Sequence, residues 1–263
     1  MGFGSITWLC KAPERIAAVC LLLLVAAPAA AEPGPVIIVG FTGGMEGRDS
    51  RVSGVVRIRE AVIRELDASP GVLALTYNNF HWREAVRDVL ALARPPDLAE
   101  SAGAEIAGAT PPLPRPAIIV YGHSWGGASI GKFSRALRAA GVEIALAVYI
   151  DVFAVRNPRV PDNVRTAVNF YQRTGLLRGL PLRGKRHLIS EGRETALVGS
   201  FELKPQTEHF GWNWNLIQPL LYRHHHRIGH DLRVRRYLVE AAAWYREAAR
   251  RDVPAASGSP SLE

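Results

Sequence analysis

Three unbroken runs of apolar, largely β-branched residues constrain this chain more than any other feature: Val36 to Gly40 (VIIVG), Ala117 to Tyr121 (AIIVY) and Ile144 to Ile150 (IALAVYI). None alternates with polar residues, so none suits a sheet with one face in water. A strand apolar on both sides must be covered on both sides, as in a parallel sheet flanked by helices. The covers lie between the runs. Val52, Val55, Val56, Val62, Ile63 and Leu66 recur at helical spacing with Arg57, Arg59, Arg64 and Glu65 between them. Trp82, Ala85, Val86, Val89 and Leu90 repeat the pattern, and Ile130, Phe133, Leu137 and Ala140 oppose Lys132, Arg135 and Arg138. Strand-like runs alternating with amphipathic ones predict a single α/β domain, a mostly parallel central sheet flanked by helices.

Val72 to Thr76 (VLALT), after the Pro70-Gly71 punctuation, predicts a further strand, and residues 187–203 hold one or two more. Residues 161–172 (PDNVRTAVNFYQ) start like a helix, with Pro161 or Asp162 near its N-terminus. A last helix is expected from about Leu232 to Ala249. Residues 94–116 carry six prolines. They read as an exposed excursion and not a domain boundary, because neither flank has enough strands for its own core. The domain is expected over residues 32–253, with a disordered tail over residues 254–263.

Residues 1–31 read as a secretory signal peptide. Lys11 and Arg15 give a positive start, Ile16 to Val25 a short apolar core, and Ala29-Ala30-Ala31 a cleavage site that leaves Glu32 first. The apolar stretch is shorter than the roughly 20 residues a spanning helix needs. The expected destination is the periplasm or the medium. Both cysteines, Cys10 and Cys20, fall in this leader. The mature chain would then have no disulfide, no cysteine nucleophile and no thiolate metal site. Hydrophobic residues at 48% and charged residues at 21% are an ordinary globular balance. Removing Lys11, Glu14 and Arg15 with the leader takes the net charge from +8 to +7. The arginines are spread along the chain, so the charge asks for no nucleic-acid partner, although a basic surface could attract anionic lipid at a membrane periphery.

The chemistry concentrates at Gly122-His123-Ser124-Trp125-Gly126-Gly127. A Gly-x-Ser-x-Gly pentapeptide alone is a weak signal, but this one joins a buried strand to a helix, the context of a nucleophile elbow. Such a turn thrusts Ser124 out at the carboxyl edge of the sheet, above the positive end of the helix dipole. Asp151 directly follows the strand ending at Ile150, so its carboxylate belongs to the same edge; Glu191 is the alternative acid. No Walker loop and no Rossmann glycine fingerprint is present.

From these residues the chain resembles the α/β-hydrolase family, and its elbow looks like that of the lipases and esterases. In element order the resemblance runs from about Val36 to Ala249; only the elbow is a specific motif. It implies an acid and then a histidine after the serine, hence a triad of Ser124, Asp151 and a C-terminal histidine. His209, in Gln206-Thr-Glu-His-Phe-Gly211, falls where the family carries its histidine loop. His224, His225, His226 and His230 are rivals, and of three consecutive histidines at most one can be the base. His226 and His230, four apart, could alternatively form a surface metal site. The oxyanion hole is expected from the backbone N–H of Trp125 and from Phe41, although Val39 stands where members often carry a histidine. Asn78 to Trp82 could line the cleft or cap a helix, and Trp212 and Trp214 could wall a pocket or fill core. The resemblance implies hydrolysis of a carboxylic ester or thioester, from a small molecule or a lipid, with no cofactor and no metal. An acyltransferase on the same scaffold and a non-catalytic exported binding protein are the alternatives.

Overall fold

Strand β1 (Pro33–Thr42) leads by way of helix α1 (Gly54–Leu66) to β2 (Val72–Asn78), and a short 3-10 turn (Asn79–His81) opens α2 (Trp82–Ala93). Then follow β3 (Arg115–His123), α3 (Trp125–Ala139), β4 (Ile144–Ile150), β5 (Arg159–Val160), β6 (Val164–Tyr171), β7 (Ile189–Ser190) and β8 (Ala196–Glu202), before α4 (Gln218–Gly229) and α5 (Leu232–Arg251). The computed structural model describes residues 33–66, 71–93, 115–174, 184–204 and 218–251. The expected leader, most of the proline-rich excursion, His209, Trp212, Trp214 and the expected tail lie outside these residues.

Six strands form one sheet in the order β2-β1-β3-β4-β6-β8, and every adjacent pair is parallel. The apolar runs are explained by what covers them. Val36 and Ile38 of β1, Ile119 and Tyr121 of β3, and Leu146, Val148 and Ile150 of β4 face one core, shared with Val55, Ile58 and Val62 of α1 and Leu238 and Ala242 of α5. Their neighbours Ile37, Val39, Phe41, Ile118, Val120, Ala147 and Tyr149 face the other core, with Val89 of α2 and Ile130, Phe133 and Leu137 of α3. Each aliphatic side chain so buried contributes about 1.5–3 kcal/mol relative to exposure. A polar residue at either parity would therefore be costly in the middle strands.

The expectation of a helix over residues 161–172 is overturned. The segment Val164–Tyr171 is β6, inserted between β4 and β8, with seven of its eight residues buried. Val164, Thr166 and Val168 are β-branched and Phe170 and Tyr171 aromatic, side chains that favour a pleated surface. Pro161 sits in a turn instead, its carbonyl accepting from Val164 N at 3.0 Å. β5 and β7 form a separate two-stranded ribbon.

Candidate active site

The carboxyl ends of the parallel strands all open on one edge, and the elbow stands at its centre. Ser124 follows β3 with φ 58° and ψ −123°. Its amide donates to the Ile150 carbonyl at 3.0 Å, and its carbonyl accepts from Gly127 N and Phe153 N, so the strained turn is tied to β4 and to α3. The motif glycines are required by close approach. A Cβ on Gly122 would stand 2.6 Å from the backbone of Gly126, and one on Gly126 only 2.0 Å from the Phe41 carbonyl oxygen.

His225 bridges serine and acid. Ser124 Oγ lies 2.8 Å from His225 Nε2, and His225 Nδ1 lies 2.7 Å from Asp151 Oδ2. With its proton on Nδ1, the imidazole donates to the carboxylate and accepts from the serine hydroxyl. Asp151 is fully buried and also has a positive φ, 40°. Gln172, just past β6, donates to it twice, from the backbone N to Oδ1 at 3.3 Å and from Nε2 to Oδ2 at 3.2 Å. Gln172 is itself fixed, its Oε1 accepting from Thr174 N and Oγ1. Gln172 does not stand out in the sequence as a site residue, because the segment that ends on it starts like a helix, which would not deliver it to the sheet edge.

The base expected at His209 falls outside the described residues, and the place between Ser124 and Asp151 is held by His225, one of the rivals. The reason is how α4 docks. Its last residue, Gly229, meets the first residue of α1 so closely that a Cβ on Gly54 would stand 2.0 Å from the Gly229 carbonyl oxygen. His123, from the elbow motif, lies beneath: its Nε2 donates to the His225 carbonyl at 2.8 Å, and the two rings are 4.6 Å apart between centroids. Burial holds the His123 imidazole well below its usual pKa, reinforced by neighbouring histidines, so it is neutral. Successive residues on a helix point about 100° apart. His225 therefore faces inward, with a 5% exposed side chain, while His226 turns outward at 37% exposed, with its Nδ1 3.8 Å from Glu46 Oε1. Burial raises the Glu46 carboxyl above its usual range, opposed by Ser53, the Gly43 amide and the charge of His225.

Glu191, the alternative acid, pairs with Arg135 of α3 beside the small ribbon. Trp125 opens α3, so its N–H is among the first-turn amides without a partner inside the helix. Phe41 has its ring buried between Tyr77 and Phe133. The register of β1 with β3 ends at Phe41, while that with β2 continues to Thr42, so the chain leaves β3 beside the elbow. A Cβ on Gly43 would lie 2.9 Å from Ser124 Cβ. Asn78 proves to be a cap: its Oδ1 accepts from Phe80 N at 2.9 Å, and its Nδ2 donates to the Glu46 carbonyl. Among the described residues no group of three or more His, Cys, Asp or Glu is placed to hold a metal ion.

No family model and no curated protein sequence matches the chain. Solved structures do. Est1E from Butyrivibrio proteoclasticus is 18% identical over 44% of this chain and 40% of its own, at a TM-score of 0.24. An arylesterase is 10% identical over 91% of this chain and 93% of its own, at 0.41. The RedJ thioesterase from the prodiginine biosynthetic pathway in Streptomyces coelicolor is 10% identical over 82% and 95%, at 0.38. The likenesses are distant, and the chemistry of the site rests on its own distances.

Proposed function

We propose that the protein is a serine hydrolase that cleaves a carboxylic ester or thioester through an acyl-enzyme on Ser124. The observation that carries this reading is the continuous contact from Ser124 Oγ through His225 to Asp151, at 2.8 and 2.7 Å. In the first step His225 Nε2 takes the hydroxyl proton as Ser124 Oγ bonds to the carbonyl carbon. The tetrahedral intermediate then collapses, the C–O or C–S bond breaks, and the leaving alcohol or thiol departs with that proton. In the second step His225 Nε2 takes a proton from water as the water oxygen bonds to the acyl carbon; the intermediate collapses, the C–O bond to Ser124 breaks, and His225 returns the proton to Ser124 Oγ as the acid leaves. Asp151 keeps the imidazole proton on Nδ1 and stabilises the imidazolium. The Trp125 amide and the Phe41–Gly43 segment, with Phe41 the expected donor, would face the oxyanion.

Export is part of the same reading and is supported by the order of charge, apolar core and small residues in residues 1–31. A fluorophosphonate probe tests the chemistry. Labelling should map to Ser124 alone and vanish in Ser124→Ala and His225→Ala, and a series of acyl esters and thioesters should then identify a substrate. An unlabelled, folded wild type would overturn the reading.

A further inference from the structure

We infer that the carboxyl edge of the sheet is a docking face for an anionic lipid surface, and that such a surface carries the ester presented to Ser124. Among the described residues the three most exposed large apolar side chains are Met45 at 89%, Val155 at 78% and Phe80 at 60%; the other large hydrophobics counted as exposed reach 45% at most. The three come from different segments, the loops after β1, β4 and β2. Scattered single exposures are ordinary on a protein surface, but convergence on one edge is not. Ser124 lies among them at the end of β3. An aromatic row ties the edge together, with Trp125 in edge contact with Phe80 at 6.3 Å and with Phe153 at 5.7 Å.

Charge selects the occupant. Arg156, shortly after β4, and Arg173, directly after β6, are exposed at the same edge. Apolar side chains projecting beside guanidinium groups match a layer of acyl chains beneath phosphate headgroups: the first enter the boundary and the second pair bidentately with phosphate. A water-soluble ester needs no such rim, whereas an ester drawn from a lipid layer must pass it to reach the serine. The substrate half of the inference rests on the hydrolase reading; the docking half does not.

Co-sedimentation with vesicles tests the docking in a Ser124→Ala background, which leaves the lipid uncleaved. The Met45→Ser/Val155→Ser pair is compared with its parent, both with the same N-terminus, on phosphatidylcholine alone and with phosphatidylglycerol added. The parent should prefer the anionic vesicles and release them as salt rises. The pair should bind them more weakly by on the order of tenfold for each side chain removed. In the active enzyme the same pair should leave turnover of a water-soluble ester unchanged and slow that of the ester held in vesicles. Equal partition of parent and pair, or no preference for anionic vesicles, overturns the docking face. Altered partition with no ester cleaved in either form leaves the face standing and sinks the hydrolase reading. Ester cleaved in solution with partition unaltered does the reverse.

Discussion

Ser124 and His225 stand at the two ends of one hydrogen bond, so losing either should cost about as much as losing both. Ser124→Ala and His225→Ala should each lower kcat by on the order of 10⁴-fold or more, and the double variant little further, because the members act as one unit. Single-turnover kinetics on a probe ester would show it; additive losses would mean that the two do not act together. Asp151→Asn should keep the geometry but disturb the tautomer, with a loss approaching ~10⁴-fold. His224→Ala and His226→Ala should stay near wild type, since neither ring lies between serine and acid. Ser124 and Asp151 were legible in the sequence because each ends a recognisable apolar strand, and parallel strands deliver such ends to one edge. His225 was not legible. Three identical neighbours differ only in direction, and direction is settled by the docking of α4 on His123 and α1, contacts between residues a hundred or more positions apart.

That docking is a property of whole elements, and a glycine tests it. Gly54→Ala should favour helix α1 by up to about 1 kcal/mol of intrinsic propensity. Instead the new methyl would meet the Gly229 carbonyl and push α4 outward. The expected result is a lower Tm and a large fall in turnover, with far-UV helical content kept; a more stable, fully active variant would refute the account. At the same scale, β1 to β4 were legible as continuous apolar runs and helices α1 to α3 by the helical spacing of their apolar residues. β6 was not. Its Pro161-Asp162 start mimics a helix entry, which masks the strand preference of the β-branched and aromatic residues that follow until their place between β4 and β8 is seen.

Across the molecule, buried and half-buried histidines tie stability to pH. Burial lowers the pKa of His230 from 6.5 to about 4. Between those values the unfolded chain holds a proton there that the folded protein does not. Stability from this group is therefore present above about pH 6.5 and is lost as pH falls towards about 4. His123 acts in the same sense. Glu46, with its raised pKa, acts in the opposite one, its contribution fading as pH rises. His230→Gln should flatten the fall of Tm over this window, which thermal scans at stepped pH would measure; an unchanged slope would refute it. A different tension is built into the backbone. Among the described residues the two non-glycine positions with positive φ are Ser124 and Asp151. Held there, each costs on the order of 1–3 kcal/mol that a better-adapted residue would spare. Ser124→Gly should therefore melt higher than Ser124→Ala, and higher than the wild type. Selection for robustness alone would erode both positions towards glycine. At these two positions the site and the fold therefore pull in opposite directions: the side chains that make the contacts with His225 stand on the backbone that tolerates a side chain least.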